Sequence, residues 1–271
     1  MIHLSPEQYA AVRPLFTPLQ QNLVVESVLD GHTQGRVYAD EAANPQLAML
    51  WTLMDTVLLA GQPDERRFPA LRRLLLDEML PDARARYIPH FTLLIDRPEW
   101  AAQFPALLPD QPLVDVPRLD FHLAGRRVDW QNLLPEGMHL HPLDSAFLAR
   151  TNLANIMNVV GWVRSFWPDV AAFEQRELGF AVVAGQTVAS WALAVYAGAR
   201  ALELGVETAV SHRGQGLATI AADACLAACA ARGITPHWQC DEANAASVRL
   251  AARLGFVPQR QYRAYRLPFA F

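Results

Sequence analysis

The chain has 271 residues, 52% of them apolar and 18% charged, with a formal net charge of −4. That composition supplies a core for one large domain or two smaller ones and excludes a disordered chain. The acidic balance argues against a nucleic-acid partner, no apolar run reaches the length of a membrane helix, and Met1–Gln8 lacks the basic and apolar segments of a secretory leader. In the first half, Leu23–Leu29 and Arg36–Ala39 read as strands around the turn Asp30-Gly31-His32-Thr33. Leu47–Ala60 is a long apolar run, either a strand pair or a helix. Phe68–Leu80 is expected as a helix, with Phe68, Leu71, Leu74, Leu75 and Met79 forming its apolar stripe. Phe91–Ile95 reads as a strand, Glu99–Leu108 as a short helix and Pro117–Leu123 as another strand.

The boundary is expected between Gly125 and Glu136. It gives an N-terminal α/β domain over 1–125 and a second domain over 126–271. In the second, Gly137–His141 is a short strand and Pro142–Trp167 is mostly helical, with Asp144 and Ser145 as candidate caps. Three strands follow, Leu178–Val183, Val188–Tyr196 and Leu202–Val210. Then come a glycine corner, a helix over Leu217–Arg232, a strand over Thr235–Cys240, a short helix and a last strand, Arg260–Leu267. Cys225, Cys229 and Cys240 lack metal-ligand spacing and read as small buried residues, so no metal is expected and a reduced, cytoplasmic setting is.

The corner Arg213-Gly214-Gln215-Gly216 carries the chemistry. A strand turning through it into a helix points backbone N–H groups outward at the positive end of the helix dipole, which suits a diphosphate. The chain contains no lysine, so a P-loop and a pyridoxal Schiff base are excluded. A dinucleotide fingerprint lacks its third glycine, where Thr219 stands, although Asp241 follows the next strand.

Ser211-His212-Arg213-Gly214-Gln215-Gly216 resembles the Gln/Arg-x-x-Gly-x-Gly/Ala signature of the GNAT superfamily of acyl-CoA-dependent N-acyltransferases, departing at its first position. The stretch Asn244-Ala245-Ala246-Ser247, followed by Leu254-Gly255-Phe256, resembles the second motif of that family. The phrase from His237 to Phe256 looks most like the subgroup containing the zwittermicin-resistance acetyltransferase. The resemblance covers roughly residues 200–266. It implies an α/β fold with a mixed central sheet and a splayed strand pair, preceded by a smaller α/β half that echoes the same order as a degenerate GNAT-like domain. There the equivalent corner, Ala60-Gly61-Gln62-Pro63-Asp64, carries a proline, and no cofactor is expected at it.

By the same resemblance, acetyl-CoA is the co-substrate and a small-molecule amine the acceptor. A protein N-acyltransferase and a non-catalytic acyl-CoA-binding protein are the rival readings. Val206 and Thr208 would hold pantetheine on the strand edge. Arg213, Gly214, Gln215, Gly216, Leu217, Ala218 and Thr219 would hold the diphosphate, and Asn244 and Ser247 would complete the site. Strand alternation puts Glu203, Gly205 and Glu207 on one face, so Glu207 is the first candidate for general base and Glu203 the second. The family's acid, a tyrosine after the motif leucine, is replaced by Ala251; solvent, Ser247, Cys240, Tyr262 and Tyr265 are the candidate substitutes, and unassisted departure of the thiolate is the alternative. Trp162, Phe166 and Trp167 read as core or cleft wall, His212 as a solvent-facing loop residue. In the strand at 235–240 the odd positions are expected to face the core.

Overall fold

The computed structural model describes residues 1–176 and 178–269. Its strands are β1 (Ile2–His3), β2 (Arg36–Ala39), β3 (Leu47–Trp51), β4 (Thr56–Gly61), β5 (His90–Ile95), β6 (Val114–Leu123), β7 (Met138–Pro142), β8 (Gly179–Ala184), β9 (Thr187–Ala197), β10 (Ala201–Thr208), β11 (Thr235–Asp241) and β12 (Phe256–Pro268). The helices are α1 (Tyr9–Val12), α2 (Leu23–Leu29), α3 (Phe68–Arg73), α4 (Leu80–Ala85), α5 (Glu99–Leu107), α6 (Ser145–Leu148), α7 (Ile156–Phe166), α8 (Val170–Glu174), α9 (Leu217–Arg232) and α10 (Ala245–Leu254). A π-helical turn, Leu74–Met79, joins α3 to α4. Among the described residues no helix is long and apolar enough to cross a membrane.

Two compact units divide the chain: Met1–Pro117 with the segment from Arg263 onward, and Arg118–Tyr262. This division differs from a single cut after 125, because β6 and β12 each run from one unit into the other. In the first unit β1 to β4 form an antiparallel meander. β5 joins β4 in parallel, and Tyr265–Pro268 of β12 pairs antiparallel with β5. In the second, β7 to β10 form the meander, β11 joins β10 in parallel, and Arg118–His122 of β6 pairs antiparallel with β11. Each half of the chain thus lends a strand to the unit built mainly from the other.

Trp51, Leu59, Leu71, Leu75, Phe91 and Trp100 are all buried and anchor the core of the first unit. Leu47–Ala60 resolves into the strand pair β3 and β4. Leu23–Leu29 forms a helix, not the expected strand. The Asn22 side chain accepts from the Val24 N–H (3.2 Å), a cap that overrides the strand preference of the β-branched run.

In the second unit α9 packs against β8, β9 and β10, and α7 packs against β9. On α9, Ile220, Ala221, Ala222, Cys225 and Cys229 are buried, and the small residues bring the helix close to β8 and β9. Buried Asp223 on the same helix takes a two-pronged bond from Arg126 (2.9 and 2.8 Å) and the Trp130 N–H (2.9 Å), fastening the segment before β7. Asp144, not Ser145, caps α6 through the Phe147 N–H.

Gly205 lies beneath Trp162 of α7. A Cβ there would sit 2.5 Å from Val195 Cγ1 and 2.8 Å from Trp162 Cζ3. Gly205→Ala is therefore expected to destabilise the protein by about 1–3 kcal/mol, read as a lower urea midpoint. An unchanged midpoint would mean that the indole does not rest on this strand.

Candidate active site

The corner forms where the sequence places it. β10 ends at Thr208, a 3₁₀ turn spans Val210–His212, and α9 begins at Leu217. Gly214 and Gly216 take φ of +79° and +78°, a region open to glycine at little cost, and Gly216 is the N-cap. The first turn of α9 has no intrahelical acceptors for its N–H groups, and only Thr219 turns back, onto the Gly216 carbonyl (3.0 Å).

β10 and β11 part early. They pair at Ala201↔Thr235, Leu202↔Pro236 and Glu203↔His237, and the paired register ends there. Leu204–Thr208 then run along an open edge of about 16 Å at roughly 3.3 Å per residue, between the glycine corner and the vertex of the gap. The corresponding pair in the first unit behaves differently. β4 and β5 stay paired from Thr56↔Thr92 to Leu59↔Ile95, where β5 ends. The Gly61 corner is filled by protein: its N–H binds Asp96 (3.1 Å) and its carbonyl takes the Trp100 indole N–H (3.0 Å).

Glu203 stands at the vertex. The bulge near it lies in the partner strand, where Val195 is passed over between Tyr196 and Ala194, so β10 keeps its alternation. Glu203 and Glu207 share a face, but their settings differ. Glu207 lines a cleft of about 650 Å³ with Asn155, Asn158, Trp162, Trp191 and Arg213. Its side chain is 39% exposed and pairs with Arg213 (3.2 Å), whose Nε also binds the Thr208 carbonyl (3.1 Å). Arg213 is thus folded back on its own strand.

The Glu203 carboxyl is buried and its Oε2 lacks a hydrogen-bond partner. Burial raises its pKa to about 7, against the pull of Arg118 and with a further push from Asp120. Arg118 of β6 bonds Asp241 (2.7 Å) and the Tyr262 hydroxyl (3.0 Å), and that hydroxyl donates to Gln239 Oε1 (2.6 Å). Burial raises the Tyr262 pKa, opposed by Arg118.

This polar floor corrects the expected facing of β11. Pro236, Trp238 and Cys240 are its buried positions, while His237, Gln239 and Asp241 share a face with His122, Asp120 and Arg118. Trp238 packs on Phe256 and donates to the Ser247 hydroxyl (3.0 Å). Ser247 also gives its N–H to the Asn244 side chain (3.1 Å), so Asn244 caps α10 through its oxygen and has its amide nitrogen to offer. Ala251 is fully buried.

Of the substitute acids, only Tyr262 lies in the Glu203 cluster; Tyr265 packs on Phe104 in the first unit. The aromatic trio separates as well. Trp162 lines the cleft and meets Trp191 edge-on, whereas Trp167 is buried and donates to the Ala194 carbonyl (2.8 Å). His212 pairs with its neighbour Ser211 (2.9 Å). Asp120, Arg118 and Arg260 carry no local signal in the sequence, because they reach the site through long-range strand pairing.

The sequence model of the family described as GNAT acetyltransferase matches residues 13–265, across both units. The uncharacterized N-acetyltransferase YdfB of Bacillus subtilis (strain 168) is 27% identical over 262 residues, covering 97% of each chain. Among solved structures, a GCN5-related N-acetyltransferase-like protein from Streptococcus suis 89/1591 is similar with a TM-score of 0.70 and 23% identity, over 96% of this chain and 98% of that one. A tandem GNAT protein from the clavulanic acid biosynthesis pathway is similar with a TM-score of 0.56 and 14% identity, over 98% and 97%. These likenesses show the fold over nearly all of the chain.

Proposed function

The chain belongs to the GNAT acetyltransferase family and is an acyltransferase, and from that premise we propose that it moves an acetyl group from acetyl-CoA directly onto a small-molecule amine. The observation that carries this reading is the parallel pair that opens after three residues, with a glycine corner at one end of the open edge and a buried carboxyl at the other.

The residues fit the co-substrate. The space along the Cβ directions of the two glycines is open, and the N–H groups of 214–219 at the head of α9 would take the diphosphate. The free edge of Leu204–Thr208, with the Asn244 amide nitrogen, would hold the pantetheine amides. Arg213 would leave Glu207 to reach the diphosphate. When bound, acetyl-CoA supplies the activated acyl group.

Glu203 then takes the amine's proton, since it stands at the vertex and its raised pKa matches a base at neutral pH. The amine nitrogen bonds the acyl carbon, the carbon–sulfur bond breaks, and the sulfur leaves with its electron pair. Tyr262, in the same cluster as Glu203, would supply the sulfur with a proton. Glu207, exposed and ion-paired nearer the corner, is the weaker candidate for base. The first unit would be a degenerate copy of the same fold that has kept the strand order and lost the opening.

Mixing the protein with acetyl-CoA and a panel of amines tests this. Thiol release that requires an amine is the expected result. Tight CoA binding without release would favour a non-catalytic binder, and release only with peptides would favour a protein acyltransferase. No heat on titrating CoA would end the proposal.

A further inference from the structure

Four polar atoms around the vertex are buried without a hydrogen-bond partner: Glu203 Oε2, Asp120 Oδ1, Gln239 Nε2 and Arg260 Nε. Each orphan is a cost to the fold, and native proteins keep few of them without a purpose. They share one neighbourhood. Asp120 stands directly opposite Gln239 in the β6–β11 register. Arg260 of β12 comes within 3.7 Å of Asp120, its guanidinium lying over the Tyr262 ring at 4.7 Å. Glu203 is paired with His237, two residues before Gln239 on the same face, and feels the charges of both Asp120 and Arg118. The Asp120 side chain is only 9% exposed.

Two of these atoms accept and two donate. A plain ammonium answers the acceptors alone, and a second ammonium would do no more. A hydroxyl both donates and accepts. An amine at Glu203 with a neighbouring hydroxyl at Asp120 can give an N–H to Glu203 Oε2 and an O–H to Asp120 Oδ1, and take a bond from Arg260 Nε or Gln239 Nε2. We propose that Asp120, on a strand supplied by the first half of the chain, is the specificity residue of this site, and that the acceptor is a small amine with a hydroxyl on the adjoining carbon. The inference rests on the acetyl-transfer reading of the same site. It adds what the lent strand β6 is for: it brings the selecting carboxylate to a unit otherwise built from the second half.

The test compares ethanolamine, ethylamine and ethylenediamine as acceptors for the full chain, its Asp120→Ala variant and its Asp120→Asn variant. Steady-state rates at saturating acetyl-CoA are joined to ligand-observed NMR of each amine on protein saturated with CoA, which reads binding without turnover. Ethanolamine should be preferred over ethylamine by about a hundredfold in kcat/KM. Asp120→Ala should collapse that preference by raising the KM for ethanolamine far more than the KM for ethylamine. Asp120→Asn, which keeps an acceptor oxygen, should restore part of it.

Equal binding of ethanolamine and ethylamine, a preference for ethylenediamine, or a preference that survives in Asp120→Ala would overturn the inference while leaving acetyl transfer standing. A failure of CoA itself to bind would remove the acetyl-transfer reading and this one together.

Discussion

Glu203→Gln is expected to lower kcat by about a thousandfold and, above pH 7, to make the protein more stable than the wild type. Both effects come from one buried carboxyl. Burial lifts its pKa from 4.5 to about 7, so the folded state holds this proton more tightly than the unfolded chain does. Stability therefore falls as pH rises between those two values, by about 3 kcal/mol for a shift of that size. Glutamine is neutral throughout and escapes the loss. Arg118, Asp120, His237 and Tyr262 neighbour residue 203 in both proteins, so the difference between the two melting temperatures isolates residue 203. The variant should gain on the wild type between pH 5 and pH 8. In the wild type, kcat/KM should fall below about pH 7, where a protonated Glu203 accepts nothing, and the residual rate of the variant should lack that limb. Glu207→Gln should leave the limb in place. Turnover in Glu203→Gln within a few-fold of wild type, with no change in relative melting temperature, would move the base elsewhere.

The local parts of this site were legible in the sequence. The strand into the glycine corner and the helix from Leu217 to Arg232 are set by contiguous signals: apolar spacing, two glycines at left-handed φ, and a glycine C-cap at Gly233. Alternation along β10 correctly put Glu203 and Glu207 on one face. Which of them is buried was not legible, because the answer comes from Arg118, Asp120 and Tyr262, more than fifty residues from β10 in either direction of the chain. The facing of β11 was misread for a related reason. Its polar side meets the polar side of a strand from the first half, so half-buried His237, Gln239 and Asp241 mark the site, and Trp238 marks the helix side. Leu23–Leu29 shows the opposite limit, a β-branched run made helical by one asparagine cap.

Gly214→Val should weaken CoA binding by at least about a hundredfold while lowering the melting temperature by only a few degrees. Residue 214 sits at φ +79°, and a Cβ built there meets nothing within 4 Å. No protein atom would be displaced. The fold would bear only the cost of a β-branched residue in the left-handed region, about 1–2 kcal/mol, on a surface loop. The ligand would bear far more, because the isopropyl group would fill the open space beside the corner that the diphosphate would occupy, and would also pull the loop from its φ. Gly255 supplies the contrast. It too has positive φ, +105°, but its Cβ would fall 1.9 Å from the Gly125 carbonyl oxygen. Gly255→Val is therefore expected to unfold the protein, and its loss of CoA binding would say nothing about the site. Calorimetry with CoA and thermal melts on the two variants separate the cases. A folded Gly214→Val protein that binds CoA as tightly as the wild type would show that the diphosphate is held away from this corner, and Glu203 would then stand at the end of a gap with no thioester to receive.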